Sequence, residues 1–379
     1  MLTSKENALH NLLTDRQTDR QTDRQTDDGK RRILWLDAIR ALAILAVVLV
    51  HATEMLYPMD AAHLNGMSVY SAAFAHISFT AGRIGVPLFL LLTGYLLLDR
   101  PFAAADCYRF WRKNWCGIVL TTEIWIVIYR IFLRAFYFKS WNTPELLQEM
   151  LFVHSIPMMH MWYMPMIIGL YIFLPLAARG LAHMDLKVWR FPVLAVGIYA
   201  FLVPVLQVVW DSFAWRSFGA NLDLGYSGGV YGMYILFGYF LKKGMGKRLD
   251  TGLVWTLFAA FFGLTVGLQV LAYHFGKFYN VWYNCGLLFL CAVFLFEGMS
   301  RLKNVGKFFG VTWLSRNSFG LYLIHVPILM LGLNWVKTLP LMMPLKVFLL
   351  WSVAFAVSAA FCFVIRRSAF LSRVLLYDR

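Results

Sequence analysis

From Ile33 to the C-terminus the chain runs in long apolar stretches, and no large polar region separates them. A helix needs roughly 20 apolar residues to cross a bilayer. Stretches that reach or approach this length lie near residues 33–56, 82–98, 114–134, 160–180, 191–210, 228–241, 253–274, 280–299, 317–335 and 345–366. The second and sixth are short. Closed barrels are written as weakly alternating strands, a pattern not seen here. The reading is therefore all-α: a polytopic transmembrane helical bundle of about ten spans.

Composition and charge strengthen this picture. Hydrophobic residues make up 60% of the chain and charged residues 15%, whereas a soluble domain keeps roughly a quarter of its residues charged. The net charge of +15 could suit nucleic acid, but the basic residues fall in short clusters between apolar stretches. Such clusters mark the cytoplasmic loops of a membrane protein. With the N-terminus inside, Lys30, Arg31 and Arg32, then Arg100, Arg109, Arg112 and Lys113, then Lys242, Lys243, Lys247 and Arg248 all fall on the inner side. The loops between carry few. Both termini are thus expected in the cytoplasm, with membrane lipids and no nucleic acid as partners. The five cysteines form no CxxC pair, so neither a disulfide framework nor a metal site is expected.

Residues 1–29 differ in kind. Thr14-Asp15-Arg16-Gln17 repeats in register at Thr18 and Thr22. So polar a low-complexity tract cannot bury a core and is expected to be a disordered tail. The transmembrane domain is expected over 30–379.

Charged groups inside a span cost about 2.5–3.5 kcal/mol on insertion scales, so each calls for a reason. The first span holds Asp37, Arg40, His51 and Glu54. At 100° per residue, Arg40 and His51 lie about 20° apart around the helix axis, with His51 about 16 Å above. The four residues form one polar stripe. Either Asp37 and Arg40 neutralise each other as an i,i+3 pair, or the stripe lines a site. In the third span Glu123 and Arg130 share a face, as an internal strut or as a functional pair, and Arg134 can snorkel to the interface. His160 opens the fourth span beside Trp162 and Tyr163, and His325 lies midway along the ninth. Either histidine can be structural, His160 as an interfacial anchor and His325 through a hydrogen bond to a neighbouring helix. Arg109 and Arg112, one helical turn apart, can converge on a phosphate or simply set topology.

Five motifs in order resemble the acyltransferase-3 family of integral membrane acyltransferases. They are Leu36-Asp37-x-x-Arg40 followed by His51; Val86-Pro87-Leu88-Phe89 with Thr93-Gly94-Tyr95; Arg109-x-x-Arg112; His160-Met161-Trp162-Tyr163; and Ser318-Phe319-Gly320-Leu321-Tyr322-Leu323-Ile324-His325. Together they span about residues 31–370. Thr93 stands where the family often has Ser, and the Pro often found after the second arginine of the RxxR pair is missing. The resemblance implies a cytosolic acyl-CoA donor, usually acetyl-CoA, and an acceptor hydroxyl on an envelope glycan or lipid-linked sugar, at the bacterial inner membrane. It matches Arg40 and His51 to the family's essential first-span pair and Arg109 and Arg112 to its cofactor-binding pair. Asp37, from the same polar stripe, joins His51 and Arg40 as a catalytic candidate, and His160, Trp162, His325 and Glu123 are the residues expected to face the acceptor. No metal is expected. His51 would act as a base or carry the acyl group briefly, and Arg40 would offset charge on the thioester oxygen or hold the pantetheine arm. The alternative from another class is a secondary transporter or flippase with an intramembrane Arg/Glu/His pathway. Against it, no inverted repeat or paired broken spans are evident.

Overall fold

The computed structural model describes residues 33–184, 186–213, 227–302, 304–308 and 310–378. The repeat tract expected as a disordered tail lies outside the described residues. The chain divides into Met1–Leu34, of which Ile33 and Leu34 are described, and Trp35–Arg379, which carries the architecture below.

Among the described residues the chain is helical, with no strand. Eight stretches are long and apolar enough to cross a membrane: Leu34–Leu56, Val69–Leu97, Ala104–Tyr137, Tyr163–His183, Arg190–Ser212, Thr251–His274, Val311–Thr338 and Met343–Ile365. Two shorter helices, Ser227–Lys242 and Gly286–Ser300, occupy the positions of the sixth and eighth expected spans. The chain is an all-α, polytopic integral membrane bundle.

The helices that build the site are α1 (Leu34–Leu56), α2 (Val69–Arg83), α3 (Gly85–Leu97), α4 (Ala104–Phe110), α5 (Cys116–Tyr137), α6 (Thr143–Met150), α7 (Tyr163–His183), α8 (Ser227–Lys242) and α9 (Val311–Thr338). The expected span 82–98 is only the second half of a longer stretch, because α2 runs into α3. Ser71, His76, Ser78 and Thr80 hide α2 from a hydropathy reading, yet Ser78 and Thr80 turn their hydroxyls onto carbonyls of their own helix, Phe74 and His76. Between α4 and α5 the backbone widens into a π turn, Trp111–Trp115.

Close approach of α1 to the α2–α3 joint depends on two glycines. A Cβ at Gly82 would stand 2.6 Å from Val50 backbone and side chain, and one at Gly85 would stand 2.6 Å from the Ala43 carbonyl. Small residues let transmembrane backbones approach in this way. Gly94 on α3 and Gly238 on α8 do the same for the crossing of those two helices, against Ile235 and Leu91 carbonyls respectively. The consequence is local: Arg83, which with Ile84 lies between the two α1-facing glycines, is pressed against the upper half of α1 with 3% of its surface exposed.

Candidate active site

The polar stripe of α1 divides into two halves with different surroundings. In the upper half, His51 Nδ1 lies 3.0 Å from Glu54 Oε2, one turn along the same helix. Arg83 donates from Nη2 to Glu54 Oε1 at 2.8 Å and to Asn280 Oδ1 at 3.3 Å, and from Nη1 to the Tyr283 hydroxyl at 3.5 Å. Its guanidinium stacks 4.6 Å over Phe79 and 4.7 Å over Trp282, as a desolvated arginine favours. An ionised Glu54 held by Arg83 can only accept, so His51 Nδ1 carries the hydrogen and Nε2 is left with its lone pair for chemistry.

Two other histidines close around His51. Ring centroids stand 5.4 Å apart for His51–His325, 6.3 Å for His51–His160 and 5.1 Å for His160–His325. The last two are buried, at 1% and 0% exposure. Each is fixed by its own partners. His325 Nδ1 sits 2.6 Å from the Tyr322 carbonyl, on its own helix. His160 lies in the turn before α7, three residues short of the helix that the sequence starts with it. Its carbonyl accepts from the Tyr322 hydroxyl at 2.7 Å, and its Nε2 lies 3.2 Å from the Tyr129 hydroxyl. Tyr129 in turn donates to the Leu323 carbonyl at 2.7 Å. That carbonyl is available because Pro327, four residues on in α9, has no N–H to offer it. Trp162 packs 5.3 Å from both Trp282 and Tyr283, which places it beside the aromatic cage of Arg83.

The lower half of the stripe is open. Arg40 donates to Ser315 Oγ at 3.0 Å, Ser315 donates to Asp37 Oδ1 at 2.6 Å, and Asp37 is buried behind them. Asp37 is thus the counter-charge that aims Arg40. Arg40 reaches a cavity of about 320 Å³ whose polar lining includes Thr93, Arg100, Asn114, Tyr163 and Tyr322. The cavity ends on Val47, Tyr163 and Tyr322, one helical turn short of His51. The rings of Tyr163 and Tyr322, 5.7 Å apart, both line the cavity, and that of Tyr322 also lies 5.0 Å from His160 and 6.1 Å from His325.

Several expected residues lie apart from this arrangement. Arg109 and Arg112 are exposed and do not line the cavity, although Asn114, in the same π turn as Arg112, does. Glu123 does not pair with Arg130, and one of its carboxyl oxygens is buried without a partner. Arg130 is held instead by α6, through Glu149 Oε2 at 2.8 Å and Glu145 at 3.0 Å. Seven helical residues put about 10.5 Å between Glu123 and Arg130 along the axis, whereas α6 brings its carboxylates to the arginine directly. Glu145, Glu149 and His154 come within 4.8 Å of one another as a metal set would, but the Arg130 guanidinium already supplies the cation there. All five cysteines are free thiols.

Arg83, Tyr129, Ser315 and Arg100 were not expected as site residues. Glu54 was read only as part of the stripe. The signal for Glu54 was present in its spacing from His51. Arg83 and Tyr129 enter through contacts between helices that no local pattern records.

The model of the family described as the acyltransferase domain matches residues 33–367, which takes in both halves of the site. No curated protein and no solved structure matches the chain. A match over so much of the chain, together with the apolar bundle, settles the class: the protein belongs to the acyltransferase-3 family and is an integral membrane acyltransferase.

Proposed function

We propose that this acyltransferase moves an acetyl group from cytosolic acetyl-CoA to a hydroxyl of a cell-envelope polysaccharide, or of its lipid-linked precursor, in the bacterial inner membrane. Within the family, Trp282-Tyr283-x-Cys285-Gly286 and Ser315-Arg316-x-Ser318 resemble the O-acetyltransferase of enterobacterial common antigen, which supports a glycan acceptor. The observation that carries the reading is the ordered chain Arg83–Glu54–His51 set one turn beyond a cavity that Arg40 enters.

In this reading the cavity takes the pantetheine arm. Arg100 and Asn114 at its lining, with Arg109 and Arg112 on the neighbouring exposed turns, hold the nucleotide phosphates. Arg40 offsets the charge that develops on the thioester oxygen. His51 Nε2 takes the proton of the acceptor hydroxyl as the oxygen attacks the thioester carbonyl; as the carbon–sulfur bond breaks, His51 returns that proton to the departing sulfur. Glu54 holds the imidazole in the productive tautomer, and Arg83 holds Glu54. Tyr163 and Tyr322 must part for the thioester to reach His51.

The test is acetyl-CoA turnover by the purified chain in proteoliposomes. Release of free CoA thiol, dependent on an added envelope glycan or lipid-linked sugar and matched by its acetylation, is the expected result. A chain that binds the glycan yet releases no thiol would remove the reading.

A further inference from the structure

A second cavity, of about 480 Å³, lies between the end of α8, the start of the helix Thr251–His274 and the end of the helix Gly286–Ser300. It shares no lining residue with the cavity that Arg40 enters. Its walls are mostly charged or hydroxyl-bearing. It sits at the end of the bundle that carries Lys242, Lys243, Lys247 and Arg248, the end expected to face the cytoplasm.

One arginine fixes the frame of this cavity. Arg301 has five N–H groups, and all are taken. Two go to Glu297 Oε1, at 2.9 and 3.0 Å. The other three tie down the turn after α8, through the carbonyls of Gly246 at 2.7 Å and Leu249 at 2.8 Å and through Thr251 Oγ1 at 3.1 Å. Arg301 and Glu297 therefore cancel each other's charge, and Thr251 keeps its own hydrogen for another partner. Asp250 turns its carboxylate onto the backbone N–H groups of Gly252 and Leu253, at 2.7 and 3.2 Å.

The lysines are not so balanced. Lys242 and Lys243 share one carboxylate, Asp99, at 3.3 and 2.5 Å. Lys247 pairs with no carboxylate among the described residues. Its stem lies along Gly244, whose φ of +90° makes the turn. Four cations around the cavity (Lys242, Lys243, Lys247 and Arg301) thus face three carboxylates, Asp99, Asp250 and Glu297. One further negative charge would complete the set. Ammonium groups on flexible stems suit an anion with several oxygens, as lysine suits phosphate. The remaining wall is aromatic: Trp35, Tyr95 and Phe296 stand with ring centroids 5.2–5.8 Å apart. Inorganic phosphate would leave these rings wet, whereas the organic part of an ester would cover them.

We propose that this cavity binds a phosphodiester carrying one negative charge, with its phosphate on Lys242, Lys247 and Thr251 and its organic part against Trp35 and Phe296. Two sources share that chemistry: the headgroup of an inner-leaflet phospholipid, as basic pockets between spans take, and a small soluble phosphodiester. The site is separate from the donor cavity and does not depend on the acyl-transfer reading.

The experiment is native mass spectrometry of the full chain in detergent, at fixed ionic strength, titrated with three probes. They are dioctanoyl phosphatidylglycerol; dioctanoylglycerol, which keeps the chains and lacks the phosphate; and glycerophosphoglycerol, which keeps the phosphodiester and lacks the chains. The expected result is one saturable site for phosphatidylglycerol that dioctanoylglycerol does not match. Lys247→Gln and Lys242→Gln should each weaken it about tenfold, as loss of one charged hydrogen bond does. Arg248→Gln, at an exposed neighbour that does not line the cavity, should bind like the parent chain. Displacement of the lipid by glycerophosphoglycerol adds the soluble ester as a source; no displacement assigns the site to lipid. Equal binding of dioctanoylglycerol, equal weakening by Arg248→Gln and Lys247→Gln, or no saturable site for any probe would overturn the proposal. So would loss of acetyl-CoA binding in Lys247→Gln, since the cavity would then belong to the donor.

Discussion

Around Arg40 the protein leaves about 320 Å³ of space, with basic and hydroxyl groups projecting from apolar walls. Around His51, one turn past the end of that space, three imidazoles pack within 6.3 Å of one another. Every one of them is tied by a carboxylate, a carbonyl or a hydroxyl. The first region has room and few constraints; the second has constraints and little room. That difference matches two tasks. A long, flexible donor needs a passage with charges along it, whereas proton transfer needs a base held within a fraction of an ångström and a few degrees of its working geometry. The separation also explains why both halves share one helix. The stripe on α1 is rigid, so Arg40 and His51 keep their spacing whatever Tyr163 and Tyr322 do.

Substitutions that act on one half and spare the other test this contrast. The largest effect is expected from Glu54→Ala, which leaves Arg83 buried without its anionic partner. Removing one member of a buried pair costs about 3–5 kcal/mol, read as a fall in thermal unfolding temperature in detergent. Ser315→Ala, at the open end, should shift it far less. Next in size is Glu54→Gln, which keeps the volume but weakens the hold on His51. Its kcat should fall by about 100-fold, with the KM for acetyl-CoA unchanged. Arg40→Ala should also lower kcat by about 100-fold, as loss of a donor to a developing oxyanion does, but without the loss of thermal stability expected at Glu54. The smallest effect is a ranking. Arg100→Ala should weaken acetyl-CoA binding a few-fold, as one exposed ionic contact allows. If the Arg109→Ala/Arg112→Ala double variant weakens it much more, the phosphates rest on the exposed turns and not at the cavity.

Much of the bundle was legible because lipid imposes one period on every span. The α1 stripe was legible for the same reason: Asp37, Arg40, His51 and Glu54 fall on one line by helical repeat alone. What the sequence concealed was partnership across helices. Arg83 stood out in no pattern, at the very start of the expected span 82–98, because the polar residues of α2 hid the helix it belongs to, and the glycines on either side of it give no sign of which helix they meet. Glu123 and Arg130 shared a face and still did not pair, since α6 supplied nearer carboxylates. Pro327 carried no reading from the sequence; its structural effect is a free carbonyl two residues before His325, which anchors Tyr129 and through it His160.

The central claim is that His51 removes the acceptor's proton. The most direct measurement is acetyl transfer by His51→Ala in proteoliposomes, alongside acetyl-CoA binding to the same preparation. The account predicts a loss of about 10²–10⁴ in kcat with acetyl-CoA bound as tightly as by the parent chain. Transfer at the parent rate by a correctly inserted His51→Ala variant would contradict it.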